Sequence, residues 1–346
     1  MSVYPNFLNQ LMQFVGGLAL LIILHELGHY LVARLFKVEV EEFGIGFPPR
    51  LAKIFMAGGT IFSINWIPLG GFVRIKGEND PNVPGGLAAA NPWVRLAVLL
   101  AGPLMNLSLG VALSILLFYN LGEPVLDQVQ VQEIAPGSPA AQAGLQIGDL
   151  ILKVDNLDVH SVDDLHEKIY ARLGQPVLFT IQRGEQISEV TMTPRNPPPE
   201  DGAIGIIMGY PIKPTTLVKA VPVGVAATYE YIRSVLLLPV RIFQGEVSPQ
   251  EGRPIGYKGM FDIYQQIEQP LWFFMVITIS LGIFNLFPIP ALDGGRILFT
   301  IPEILFRRRI PQKYENAIHL VGFTMLLFLL IYINLQDFLN PVQLPR

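Results

Sequence analysis

Apolar residues are bunched along this chain, and four runs are long enough to cross a hydrocarbon core, which takes about 20 residues as a helix. The first covers 7–36 and is interrupted by His25, Glu26, His29 and Arg34. The second (96–119) and third (271–292) carry no charge, and the fourth (316–336) is uncharged apart from His319. Between the second and third runs the pattern changes. Residues 125–194 alternate apolar and polar, as in Val129-Gln130-Val131-Gln132 and Val177-Leu178-Phe179-Thr180-Ile181, with Gly and Pro between the stretches. This is the pattern of half-buried strands in a soluble module. Ser161 as a cap, with Asp163 and Asp164 behind it, predicts a helix over 161–173. The Pro-Arg-Asn-Pro-Pro-Pro stretch at 194–199 is a stiff boundary. Residues 215–243 mix Tyr229, Tyr231 and Arg233 with aliphatics. They fit an amphipathic segment lying on a membrane face, or a cap on the soluble module.

These segments predict a polytopic α-helical membrane protein with four transmembrane helices. The division is a first helix (1–36), a β region (37–93), a second helix (94–119), a soluble α+β domain (120–199) and an amphipathic region (200–270). A third helix (271–300), a short loop (301–315), a fourth helix (316–337) and a tail (338–346) follow. The first run has no basic leader and no small-residue cleavage site, so it reads as a retained helix rather than a signal peptide. Lys37, Arg50, Lys53, Arg74, Lys76 and Arg95 lie between runs one and two, and Arg307, Arg308, Arg309 and Lys313 between runs three and four. Basic residues in short loops mark the cytoplasmic side. Both termini and the long region between runs two and three are then outside.

Composition agrees. Of 346 residues, 51% are hydrophobic and 15% charged, against about a quarter charged in a typical soluble domain. Mean hydropathy is +0.44. The net charge of −4 gives no basic field for nucleic acid. There is no cysteine, which excludes disulfides, thiolate catalysis and cysteine-ligated metals. Any transition-metal site must draw on five histidines and the carboxylates.

The chemistry lies inside the first run, in His25-Glu26-Leu27-Gly28-His29. Residues i and i+4 share a helix face, so His25 and His29 can address one ion. Zinc accepts two histidines and a carboxylate, keeps a fourth position for water and lowers that water's pKa towards neutrality. Glu26 is placed to take the proton and pass it to a leaving amine, the metalloprotease arrangement. Nitrogen and oxygen donors alone also admit other divalent metals. Ionisable groups in a membrane span each carry an insertion penalty of about 2.5–3.5 kcal/mol near the centre when charged. Their presence calls for a metal or polar partner. Asp293 is the best third ligand. It follows Pro288 and Pro290, which end the third helix, at a depth close to that of His25. Glu303 and Glu315 are weaker candidates, nearer the arginine cluster. His319 reads as a packed or interfacial histidine, and His160 and His166 as surface residues.

Taken together, these motifs resemble the site-2 protease family of intramembrane zinc metalloproteases, bacterial regulator-of-sigma-E type. The resemblance spans nearly the whole chain. It rests on His25 to His29, on Asn285-Leu-Phe-Pro-Ile-Pro-Ala-Leu-Asp293-Gly-Gly, on Gly102-Pro103-Leu104-Met105-Asn106, and on Phe43-Gly-Ile-Gly-Phe47 with Pro68-Leu-Gly-Gly-Phe-Val73. It implies zinc on His25, His29 and Asp293, Glu26 as general base, and Asn285 beside the scissile peptide. It implies a membrane re-entrant β-hairpin over 43–74, one edge of which pairs with unwound substrate; the β-prone stretch Thr60 to Trp66 and a turn at Gly58-Gly59 permit this, and equally permit an ordinary cytoplasmic hairpin lying on the membrane. Ala135 to Asp155 resembles a PDZ domain of the bacterial protease type, and one such domain is found where relatives often have two. Arg296 stands where relatives often have His. The implied partners are a single-pass membrane protein substrate, the lipid bilayer and a PDZ peptide ligand. The implied location is the bacterial plasma (inner) membrane, with the PDZ domain extracytoplasmic. The implied reaction is cleavage of anti-sigma factors or remnant signal peptides after prior trimming.

Two other functions compete. A PDZ-bearing adaptor with a non-catalytic metal site would not need Glu26. A transporter would usually show internal repeats, and none is present.

Overall fold

The computed structural model describes residues 7–199, 201–245 and 253–342. The first six residues, parts of the expected 200–270 region and the last four residues of the expected tail lie outside the described residues. In chain order the elements are α1 (Phe7–Leu35), β1 (Val40–Ala57), β2 (Thr60–Ile75), α2 (Pro92–Leu121), β3 (Glu123–Pro124), β4 (Val129–Ile134) and α3 (Pro139–Gln142). Next come β5 (Leu150–Val154), β6 (Leu157–Asp158), α4 (Val162–Tyr170), β7 (Val177–Arg183), β8 (Gln186–Met192), β9 (Ile206–Gly209) and β10 (Ile212–Lys213). Last among the described residues come the helices α5 (Leu217–Phe243), α6 (Tyr257–Gln266), α7 (Pro270–Leu286), α8 (Asp293–Phe306) and α9 (Gln312–Leu339). The chain divides into two units, one of Met1–Leu117 with Gly224–Arg346 and one of Phe118–Val223.

Among the described residues, four helices are long and apolar enough to cross a membrane: α1, α2, α5 and α9. Three coincide with the expected spans. The expected third helix over 271–300 is instead two helices. α7 has 17 residues, about 25 Å at 1.5 Å per residue, short of a core of about 30 Å. Pro288 and Pro290 lack the N–H groups a continuing helix needs, and the chain restarts as a helix only at Asp293. Conversely, α5 is a long helix within the region expected to be amphipathic. It rests on α2 through Ser114 Oγ, which donates to the Gly224 carbonyl at 3.0 Å. Tyr231 joins Ser280 of α7 at 2.9 Å.

β1 and β2 form a ribbon joined at Gly58 and Gly59. Both glycines have positive φ (+57° and +85°), as a two-residue hairpin turn of this hand requires. The register doubles back: residues 42–45 lie between 61–64 on one side and 71–74 on the other. Glu42, 3% exposed within this sheet, accepts from Arg50 Nε at 2.7 Å and Ser63 Oγ at 2.7 Å. Those partners offset the cost of burying its charge. Phe47, Leu51, Ile54, Phe55, Met56 and Trp66 are exposed on the ribbon.

The second unit is a strand-rich module with sheet order β8-β7-β5-β4-β9, β6 pairing with β5. The alternation read from the sequence is realised here. Val177, Phe179 and Ile181 of β7 face the core with Val129, Val131, Ile151 and Leu165, while Leu178 and Thr180 are only partly buried. Ser161 caps α4 by accepting from Asp164 N, and this helix ends at Tyr170 rather than 173. His160 and His166 are exposed, His166 stacked on Tyr170 at 4.0 Å.

Candidate metal centre

His25 and His29 stand on one face of α1, one turn apart, both 7% exposed. Asp293 reaches them from the first residue of α8. His25 Nε2 lies 3.2 Å from His29 Nε2 and 3.2 Å from Asp293 Oδ2, and His29 Nε2 lies 3.4 Å from the same oxygen. These are the edges of a near-equilateral triangle. Zinc bonded at 2.0–2.1 Å in a tetrahedron sets its ligand atoms about 3.3 Å apart, so the three donors fit one zinc ion with a fourth corner open. Among the described residues this is the one group of three or more histidines and carboxylates arranged to hold a metal. Glu303 and Glu315 are not in it. Glu303 pairs with Arg95 at 2.9 Å, and Glu315 lines a polar cavity with Arg296 and Arg309.

Each donor is aimed by a neighbour. His29 Nδ1 donates to the Val98 carbonyl of α2 at 2.7 Å, which leaves Nε2 with its lone pair towards the centre. α1 and α2 approach closely enough for this because both carry glycine at the crossing. A Cβ on Gly28 would meet the Ala101 oxygen at 2.5 Å, and one on Gly102 would meet His29 Nε2 at 2.2 Å. His25 faces Asn106 of α2, Nδ2 to Nδ1, at 3.1 Å. Asp293 begins a helix, where the dipole favours a carboxylate. Gly294 and Gly295 let the preceding loop fold against that helix start, since Cβ atoms there would lie 2.2 Å from the Phe287 oxygen and 2.4 Å from the Ile289 oxygen.

Glu26 lies between the triangle and the ribbon. Its Oε2 accepts the Val73 N–H of β2 at 3.1 Å. It also interacts electrostatically with His25, His29 and Asp293. Asn285, in the last turn of α7, is half-buried.

The sequence over residues 13–329 matches the model of Peptidase family M50. The chain belongs to peptidase family M50. It is a zinc metalloprotease of the site-2 protease kind. A relative from Clostridium perfringens, named "Putative zinc metalloprotease CPE1693", is 32% identical over 327 residues, covering 93% of this chain and 96% of that protein. A Campylobacter jejuni protein, named "Putative zinc metalloprotease Cj1068", is 32% identical over 346 residues, covering 92% of this chain and 90% of its own. Metalloprotease MmpA of Caulobacter vibrioides is 26% identical over 386 residues and covers 96% of both chains. Among solved structures, the PDZ domain of an SdrC-like protein from Listeria innocua is 26% identical, covering 24% of this chain and 93% of that domain, with a TM-score of 0.22.

Three neighbours of this M50 site carry weak sequence signals. Val73 ends the 68–73 motif, but what it contributes is a backbone N–H, which its side chain does not advertise. His319 of α9 accepts the Ala291 N–H at 2.8 Å and packs on Phe299, so it holds the loop leading to Asp293. Arg296, one turn into α8 from Asp293, pairs with Glu78 of the segment after β2.

Proposed function

We propose that this M50 peptidase is an intramembrane endopeptidase, hydrolysing a peptide bond in or near the span of single-pass membrane proteins that another protease has already trimmed. Anti-sigma factors and remnant signal peptides are the substrate classes its resemblance favours. The observation that carries the reading is that His25, Glu26 and His29 sit on α1, a helix long and apolar enough to cross a membrane. Ionisable groups in such a helix are costly unless they serve a site.

His25, His29 and Asp293 would hold the zinc, which when bound acts as a Lewis acid and lowers the pKa of water. Glu26 takes the proton of the attacking water and returns it to the leaving amine. Asn285 offers an amide N–H to the scissile carbonyl. The carboxylate of Glu26 rests on the edge of β2 at Val73, next to where a peptide must lie. A transmembrane helix hides its peptide bonds, so cleavage needs local unwinding. A strand edge supplies partners for the freed backbone groups. The exposed apolar side chains of the ribbon support its insertion into the membrane as a re-entrant element. The ion pair of Glu230 with Arg233 on the exposed side of α5 favours that helix as amphipathic rather than spanning.

The second unit, read as an extracytoplasmic PDZ domain, would dock the new C-terminus of a trimmed substrate or exclude untrimmed ones. The enzyme would sit in the bacterial inner membrane. The test is cleavage of a model single-pass substrate by the full chain in detergent, wild type against Glu26→Gln, each with and without a zinc chelator. Loss of cleavage in both arms supports the reading. Stoichiometric zinc without cleavage of several substrates by wild type would favour a PDZ-bearing adaptor. Glu26 argues against the adaptor, since it is not needed as a ligand.

A further inference from the structure

Asn106 is fully buried in α2. Its side chain makes one hydrogen bond among the described residues, to His25 Nδ1 at 3.1 Å. The other polar atom of the amide is buried with no partner. Burying an amide half-satisfied costs stability, so packing alone does not explain an asparagine here. Its backbone is already used otherwise, the Asn106 carbonyl accepting from Thr278 Oγ1 at 3.2 Å.

The chemistry of His25 decides what the contact must be. A neutral imidazole carries one proton. With the amide nitrogen facing Nδ1, Nδ1 must accept and Nε2 must carry the proton. Nε2 is the atom that faces His29 and Asp293, and a protonated Nε2 has no lone pair for a metal. With the amide turned over, Oδ1 accepts from Nδ1–H and Nε2 is free to bind. The two orientations fill nearly the same space. His29 already follows the second scheme, its Nδ1 donating to the Val98 oxygen. Val98 and Asn106 lie eight residues apart on α2, close to the same face, with Gly102 between them.

We propose that Asn106 is a positioning residue for the metal centre: its Oδ1 accepts the Nδ1 proton of His25 and thereby fixes the tautomer and ring orientation in which His25 ligates. The inference rests on the reading of His25 as a ligand. One helix, α2, would then supply the outer hydrogen-bond acceptor for both histidines, a carbonyl for His29 and an amide for His25.

The test is the zinc affinity of the full chain in detergent, by competition with a chromophoric chelator, together with thermal unfolding of the chelator-stripped chain. Asn106→Leu, close in size, removes the acceptor. Its zinc affinity should fall 10–100-fold, the usual effect of losing such a partner, while the stripped chain unfolds no earlier than wild type. Asn106→Asp keeps an acceptor and loses the donor, so it should bind zinc within a few-fold of wild type or more tightly. Asn106→Asp binding as weakly as His25→Ala would overturn the proposal, because it would show that an acceptor beside Nδ1 does not hold His25 in its ligating form. Unchanged affinity in Asn106→Leu would overturn it as well. If Asn106→Leu does not fold, Asn106→Asp decides alone. A wild-type chain whose zinc binding is indifferent to His25→Ala would instead overturn the underlying ligand assignment.

Discussion

A methyl group on Gly102 would stand 2.2 Å from Nε2 of His29, the atom that faces the metal position. The contact makes Gly102 part of the centre without any functional group of its own. Gly102→Ala should therefore displace the imidazole and lower zinc affinity at least tenfold. Gly16→Ala on the same bundle is the control, since a Cβ there has nothing within 4 Å. Alanine in a helix is favoured over glycine by up to about 1 kcal/mol, so the control should keep its zinc and unfold at the same or a higher temperature. Equal zinc affinity in the two variants would show that α1 and α2 can part without cost to the site.

Much of this site was legible in the sequence, because its donors sit in patterns whose spacing has a geometric meaning. His25 and His29 are one helical turn apart, and Pro288 and Pro290 announce the break that frees Asp293. The structure brings those three together. What stayed illegible is carried by backbone groups and by contacts between distant segments. Val98 offers a carbonyl and Val73 an amide, and neither depends on the side chain. Asn106 was visible as part of a motif, but its partner His25 is 81 residues away. In the second unit, strict alternation along β7 predicted its buried face. The end of α4 fell three residues short of the expectation, where no glycine or proline marks a stop.

Ala291 adopts φ +76°, a left-handed conformation that costs a residue with a Cβ about 1–2 kcal/mol. Its N–H is held by His319 of α9, two residues before Asp293. The strain persists because α9 and the prolines over-determine the loop. Ala291→Gly should raise the stability of the stripped chain by up to about 1 kcal/mol, the gain being offset in part by the freer unfolded chain. Unfolding in detergent would measure it. A loss of stability would mean the methyl group does more in packing than the backbone loses in strain.

The absence of native cysteine makes topology directly testable. Asn82, in the segment between β2 and α2, and His160, in the second unit, are both exposed. Cysteines placed singly at Asn82 and His160 should react with a membrane-impermeant maleimide from opposite sides of intact cells or vesicles. Labelling of both from the same side would refute the proposed placement of the second unit outside and the ribbon side inside.

The second unit carries its own pH dependence. Asp149 is buried, which disfavours its charge, yet Arg183 grips both carboxylate oxygens at 2.7 Å and Gln146 N–H donates to one of them. The arginine and the amide win, and the carboxyl is held below the usual carboxylate range. In the unfolded chain it returns to a pKa of about 3.9. A lowered pKa stabilises the folded unit fully above that value, and the contribution fades as pH falls from there through the folded pKa. The same arginine also donates to the Gly144 carbonyl at 2.9 Å, so protonating Asp149 loosens the 144–149 loop from β7. Pepsin, its rate at each pH normalised to that on an unfolded control protein because its own dyad titrates at about 1.5 and 4.7, should cut the full chain in that loop increasingly as pH is lowered from 5 to about 2. In Asp149→Asn the loop should be cut even at pH 5, with a flatter pH profile, because no proton is left to bind. A variant that tracks wild type across the range would show that the pair is not what holds the loop.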